Sequence, residues 1–269
     1  MARATKNRSQ EVIGYGRREP YVDGATLAAI QTVFNRTRLS HQGWEGRQLH
    51  GRLDTRAVWR SDAKGNIDIF RERHMPSPTR LDVHILVDAS GSMFGARACR
   101  AQDMAGTLVK AFERIPTVRL HVWQHNASGG VTNIYRLYEP GQSPEGMNNM
   151  LNNIAGGNAD GFALEAVGMR AAKAKRPDTG ALVILISDGL PSVTGTGATG
   201  NILDHSALVV HNLRSKGVSV LGVAVAGDIA AHRHMYGESN TVNFTGDWAE
   251  LSRDFAAVFG TVLRKGAKT

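Results

Sequence analysis

Cysteine is almost absent: Cys99 is the only one among 269 residues. An intramolecular disulfide is thereby excluded, an oxidising compartment gains no support, and no zinc cage can be built on thiolates. Long apolar runs are missing as well. No stretch approaches the roughly 18 apolar residues of a membrane span, and the opening "MARATKNRSQEVIGYGRREP" is polar and basic with no apolar segment behind it. These absences create the expectation of a soluble, cytoplasmic protein without a membrane partner. Nucleotide chemistry is also poorly signalled. No Gly-x-x-x-x-Gly-Lys-Ser/Thr run occurs, which argues against ATP hydrolysis by this chain. The glycines of "GSMFGA" lack the Gly-x-Gly-x-x-Gly spacing of a dinucleotide turn. Neither Ser90 nor Ser92 sits in a Gly-x-Ser-x-Gly elbow, so a serine hydrolase is not indicated. Internal repeats and low-complexity segments are lacking too.

What is present suits a packed core: 42% of the residues are apolar. The net charge of +8 is unevenly spread. Residues 1–80 hold 15 basic against 8 acidic side chains, whereas the remaining residues hold 17 against 16. A basic N-terminal segment of this kind suits an acidic protein surface or a nucleic acid, and equally a plain solvated face.

Residues 1–20 are expected to form a flexible basic arm and residues 21–79 a small helix-and-hairpin segment. In "VDGATLAAIQTVFNRTRL", Leu27, Ile30, Val33 and Phe34 recur at spacings of three and four, which predicts a helix over 22–39. "GRLDTRAVW" and "GNIDIFRER" read as short strands or a hairpin. After the two-proline "MPSPTR" the texture changes, and residues 80–265 read as one domain. Apolar runs at 83–87, 118–123, 182–186 and 218–225 alternate with helical patterns near 97–115, 162–175, 203–216 and 248–264. Strands too apolar to have a wet face predict an α/β class: a doubly wound, mostly parallel sheet with helices on both faces. Ligands of such sheets sit at the carboxyl ends of the strands.

Two of those ends are alike. The run 83–87 finishes on Asp88, Ser90 and Ser92, and the run 182–186 finishes on Ser187, Asp188 and Gly189. A third polar loop, "GGNADGFAL", opens the intervening helix and carries Asn158 and Asp160. Asp88, Ser90, Ser92, Asn158, Asp160 and Asp188 would gather at one sheet edge. Their hard oxygens suit Mg²⁺ first, with Mn²⁺ or Ca²⁺ as alternatives, and a cation would relieve the repulsion among three carboxylates. The competing reading of Asp-Ala-Ser-Gly-Ser is a turn that caps the following helix. His232 and His234 read as an exposed loop pair with weak ligand character. Trp44, Trp59, Trp123 and Trp248 read as packing residues, and Met147 and Met150 as core or helix face.

"DASGSM", "GGNADGFAL" and "ISDG" resemble the metal-ion-dependent adhesion site of von Willebrand factor type A domains over about residues 80–264. The resemblance implies that two motif serines and a threonine bind Mg²⁺ directly, that the aspartates bind directly or through water, and that an open metal position takes a carboxylate from a partner protein. This sequence departs at the threonine: aligned on the following Ala-Leu, Asn158 stands in its place and Asp160 two residues on, and either could reach the metal. "GRLDTRAVW", "IFRERH", "DASGSM", "GNADGFAL" and "ISDGLPS", in this order, further resemble the T subunit of aerobic cobaltochelatase, whose Asn-x-Asp-Gly loop replaces the threonine loop. That likeness implies a ring-forming AAA+ ATPase partner and, in the family, cobalt insertion into a corrin ring. The long acidic stretch of a full T subunit is lacking, which fits a relative serving a different ATPase and client. Three functions are therefore expected, in this order: a Mg²⁺-dependent, non-catalytic adaptor for an AAA+ ATPase of the MoxR or cobaltochelatase kind, a cobaltochelatase subunit in cobalamin biosynthesis, and a nucleic-acid-binding accessory protein.

Overall fold

The computed structural model describes residues 2–5, 18–40, 43–48, 50–61, 69–74, 80–142, 144–176, 179–189, 191–192 and 202–266. In chain order the elements are β1 (Ala2–Thr5), α1 (Gly24–Ser40), β2 (Gly43–Gln48), β3 (Arg52–Leu53), α2 (Thr55–Ser61), β4 (Phe70–His74), β5 (Arg80–Asp88), α3 (Ala96–Glu113), β6 (Val118–Ser128), β7 (Val131–Tyr138), α4 (Asp160–Ala174), β8 (Thr179–Ser187), α5 (Ile202–Ser215), β9 (Val218–Val225), α6 (Ile229–Tyr236), β10 (Thr241–Phe244) and α7 (Trp248–Gly266). Short 3₁₀ turns lie at Gly91–Met93, Pro144–Asn153 and Glu238–Asn240.

The four apolar runs become β5, β6, β8 and β9, because β-branched and leucine side chains buried on both faces need helices above and below. The sheet order is β1-β7-β6-β5-β8-β9-β10. Strand β5 is central and pairs in parallel with β6 on one side and β8 on the other. The chain thus turns in opposite directions from β5, which makes its carboxyl end the switch point of the sheet. Period two divides the strand between the layers. Val83, Ile85 and Val87 join a core with α1, α3 and α7 that includes Ile30, Met104, Phe112, Phe255 and Phe259. Leu86 joins a second core with α4, α5 and α6 that includes Trp123, Leu164, Val210 and Tyr236.

The fold departs from the sequence expectation in several places. β6 runs on to Ser128 and doubles back antiparallel through Gly129-Gly130 into β7, so the sheet is mixed. Both glycines have positive φ, +58° and +73°, which a two-residue hairpin turn requires at its two central positions. β7 was not expected, since its half-buried pattern is too polar for an apolar run. "GRLDTRAVW" is not a strand pair. Only Arg52–Leu53 is extended, and Asp54 then starts α2 by accepting the Arg56 N–H at 3.1 Å. β4 pairs antiparallel with β2 and β3, while residues 62–68 lie outside the described residues.

The expected basic arm lies mostly outside the described residues, although Ala2–Thr5 pairs in parallel with β7. Its end is fixed. Arg18 makes two bonds to Asp103 at 2.7 and 2.9 Å, and Gln102 returns a bond to the Arg18 carbonyl at 2.8 Å. Pro20 lies against Gly106, where a Cβ would come within 2.6 Å of it. Asp23 then caps α1 through Thr26 N–H at 2.7 Å. Leu27, Ile30 and Phe34 are buried, so α1 is built into the main core.

Phe112 on α3 meets Phe259 on α7 edge-on at 5.7 Å, and Phe259 is fully buried. Phe259→Ala is expected to cost about 3–5 kcal/mol of stability, because the flanking helices cannot close a cavity of that size. Urea unfolding of the full chain measures it.

Candidate metal centre

The site grows from the ends of β5, β6 and β8. Asp88, Leu86 and His84 alternate onto the face of the sheet covered by α4. Register sets His125 on β6 opposite Asp88, and Ala89 N–H bonds to the His125 carbonyl at 2.8 Å. Ser187 ends β8, and Asp160 is the first residue of α4, where a carboxylate also favours the helix dipole.

A closed hydrogen-bond network joins these groups. Asp88 Oδ1 accepts the Ser90 N–H at 2.7 Å, the turn that the Asp-x-Ser spacing permits. Asp88 Oδ2 accepts Ser90 Oγ at 3.0 Å, Asn158 Nδ2 at 2.9 Å and Ser187 Oγ at 3.3 Å. Asp160 Oδ2 accepts Ser187 Oγ at 2.9 Å and Asn158 Nδ2 at 3.3 Å. Asn158 Oδ1 accepts the Asp160 N–H at 2.9 Å, so its amide nitrogen faces the carboxylates. His125 Nε2 lies 3.2 Å from Asp160 Oδ1 without the alignment of a hydrogen bond. Asp88, Asn158, Asp160, Ser187 and His125 are all buried.

The mouth of the site is different. Ser90 Oγ and Ser92 Oγ are 3.0 Å apart, with Ser92 exposed and Ser90 buried. Asp188 is buried, and its Oδ1 has no hydrogen-bond partner. Its Oδ2 takes a long contact of 3.4 Å from Arg97 on the first turn of α3, and Arg97 also bonds to the Ser92 carbonyl at 3.1 Å. Asp188 is fixed from behind: a Cβ on Gly227 would come within 1.9 Å of its carbonyl, which accepts the Asp228 N–H at 3.0 Å. Ala226, just before, has φ +48°, a left-handed conformation that costs an alanine energy.

Electrostatics mark the same point. Burial, helped by the charges of Asp160 and Asp188, pushes Asp88 up to about 7, although His125 and the Ser90 N–H oppose it. For His125 burial alone would lower the value, but Asp160 and Asp88 outweigh it and raise it. Hard donors, an orphaned buried carboxylate oxygen and carboxylates short of positive charge fit a divalent cation.

The structure brings Asp88, Asn158 and Asp160 into direct contact, links Ser90 and Ser92 to them, and places Asp188 beside Arg97 within electrostatic reach of Asp88. Sequence reading missed His125 as a site residue and noted Ser187 only as a strand end. His125 lies two residues beyond the apolar run 118–123, on the part of β6 that the run does not announce, and only strand register reveals it. His232 and His234 are on helix α6. His232 is buried, while His234 is half-exposed and pairs with Asp204 at 2.7 Å, so they form no ligand pair. Trp123 and Trp248 pack as expected, and Met147 and Met150 are buried in the core. The side chains of Trp44 and Trp59 lie outside the described residues. Among the described residues no helix is long and apolar enough to cross a membrane.

The folded value of Asp88 lies above its ordinary 3.8. Its protonated form therefore contributes stability at low pH that is lost as pH rises toward about 7. Metal-free protein should lose melting temperature between about pH 5 and about pH 8. The loss should be smaller in Asp88→Asn. The gain from Mg²⁺ should be larger at the higher pH. Thermal melts at matched ionic strength test all three.

The model of the von Willebrand factor type A domain matches residues 82–255. No curated protein sequence matches the chain. Among solved structures, the manganese-loaded TRAP protein of Plasmodium vivax is similar at TM-score 0.50 and 17% identity, over 68% of this chain and 73% of that one. The pilus adhesin SpaC of Lactobacillus rhamnosus GG, in its open conformation, is similar at TM-score 0.52 and 13% identity, over 70% of this chain and 30% of that one. A variant of the PilB minor pilin of Streptococcus sanguinis is similar at TM-score 0.50 and 12% identity, over 77% and 68% respectively. At these identities the likeness shows the fold. With the family model spanning well over half of its length, the chain belongs to the von Willebrand factor type A domain family.

Proposed function

We propose that this chain is a metal-dependent adaptor that binds a partner protein through a carboxylate. The observation that carries the reading is the pair of serine hydroxyls, 3.0 Å apart, at the solvent side of a buried carboxylate cluster on the sheet's carboxyl edge. Ser90 and Ser92 supply direct hydroxyl ligands, and Asp88 and Asp188 supply charge directly or through water. Asn158 holds Asp88 and Asp160 together with its amide nitrogen, so the fifth oxygen falls to Asp160. The cation, when bound, offers an open Lewis-acidic position for a carboxylate from outside. Mg²⁺ is the first cation to try, and Mn²⁺ the second, because the similar TRAP protein was solved loaded with manganese.

The partner we favour is an AAA+ ATPase of the MoxR or cobaltochelatase S-subunit kind. Supporting this are the motif order that resembles the cobaltochelatase T subunit and the basic first 80 residues, with 15 basic against 8 acidic side chains, which suit an acidic protein surface.

A pull-down of a genomically neighbouring AAA+ ATPase tests the reading. Chelator, Ser90→Ala and Ser92→Ala are each expected to weaken the complex at least about tenfold by speeding dissociation, with circular dichroism unchanged. Raising salt well above about 0.1 M should slow association separately. A complex indifferent to chelator and to both serine variants overturns the metal-mediated interface. Binding to nucleic acid in place of the ATPase overturns the choice of partner.

A further inference from the structure

Beneath the serine hydroxyls lies a buried histidine that an all-oxygen site does not use, facing two of that site's carboxylates. Asp88, His125 and Asp160 each offer one ligand atom, and the three atoms lie within 4.8 Å of one another. All three residues are almost fully buried. Neither ring nitrogen of His125 has a hydrogen-bond partner, although the ring is fully buried and Nε2 faces Asp160 at 3.2 Å. Asp160 Oδ1, on the facing side, is likewise without a partner. The Tyr236 hydroxyl and His232 Nε2 are also buried and without a hydrogen-bond partner. Tyr236 lies within the field of Asp160 and Asp88, and His232 within that of Asp160 and Asp188. Buried polar atoms nearly always find partners, and here a buried imidazole and a buried carboxylate oxygen have only their unaligned contact with each other, which leaves room for an occupant between them.

The donor set says what kind. Two carboxylates and an imidazole are the mixed oxygen and nitrogen ligands of a borderline transition metal, whereas Mg²⁺ seldom takes imidazole. Metal–ligand bonds of about 2.0–2.2 Å put ligand atoms roughly 3–4.4 Å apart, so a small closure from the observed spacing suffices. A dication also neutralises the two buried carboxylates it would touch.

We propose that the protein has a second cation position, below the one formed by Ser90 and Ser92, in which His125, Asp160 and Asp88 bind a transition-metal dication such as Mn²⁺ or Zn²⁺. Asp88 and Asp160 bridge the two positions, which suits paired metal centres about 3.5–4 Å apart. This inference rests on the proposed upper site through those two shared carboxylates. Because its ligands are buried, the lower ion should exchange slowly and stay with the protein through desalting, while the exposed upper position loses its ion.

The test uses the full chain, stripped with chelator and reloaded with Mn²⁺ alone. Electron spin-echo modulation should show ¹⁴N from a coordinated imidazole. His125→Phe should abolish it and remove one of two bound equivalents, and Ser90→Ala/Ser92→Ala should remove the other while leaving the modulation. Anomalous scattering from Mn²⁺-soaked crystals of the unaltered chain gives the same answer without a variant that must fold: a peak is expected within about 2.2 Å of His125 Nε2. A peak at the serines alone, or ¹⁴N modulation absent from the unaltered chain or persisting in folded His125→Phe, overturns the second position and leaves the adaptor reading intact. A peak at His125 with none at the serines supports the second position and overturns the metal-mediated interface. No peak at either overturns both.

Discussion

Three carboxylates, Asp88, Asp160 and Asp188, are buried where the strands of one sheet end. Unpaired, such charges would cost several kcal/mol each, far more than the marginal stability of a domain can absorb. The surroundings of the site follow from that constraint. Asn158, Ser187 and the Ser90 backbone spend their donors on Asp88 and Asp160. His125 and Arg97 bring the nearest positive charge, one from a strand and one from a helix. Burial raises the value of Asp88, and a cation at this point is the simplest further relief.

The two layers of the fold divide the work. On the α4 side the alternation of β5, β6 and β8 turns Asp88, His125 and Ser187 inward under Asp160. On the α3 side Arg97 reaches Asp188 across the mouth. The serine loop runs between them, from the end of β5 to the start of α3. It touches the carboxylates through Ser90 and solvent through Ser92. Behind α3 the strap from Arg18 to Asp23 ties α1 to the same helix, so the first turn of α3 is carried on a well-anchored rod.

Much of this was legible in the sequence. An apolar run that ends on Asp-x-Ser-x-Ser, followed later by one ending on Ser-Asp-Gly, marks both the strand and the carboxyl end at which ligands of such sheets sit. Helices α3, α4, α5 and α7 were placed within about two residues by their apolar spacing, whereas α6, read as a loop, was not. What escaped was whatever depends on pairing. His125 stands in "VWQHNAS", which carries no signal of a site, and becomes one only because parallel register sets it beside Asp88. β7 is a half-buried strand with a mixed pattern, announced only by Gly129-Gly130. α2 was hidden by aromatic and β-branched residues, although Asp54 was in place to cap it. Asn158 illustrates a finer limit: sequence alignment put it at a ligand position, while the network turns its nitrogen toward the carboxylates.

The turn at Ala226-Gly227-Asp228 bears on how the chain can vary. Loops between strands and helices usually absorb insertions, because nothing but solvent lies beyond them. Here the turn is pinned on two sides, by Asp188 O to the Asp228 N–H and by Phe244 O to the Ala226 N–H. No room remains at Gly227 even for a methyl group. An added residue at this turn would not bulge outward. It would lift the peptide that fixes Asp188 and so alter the mouth of the site from its far side. Length variation among relatives that keep the site should therefore avoid residues 226–228, and lineages that have lost the site should be the ones free to lengthen that turn.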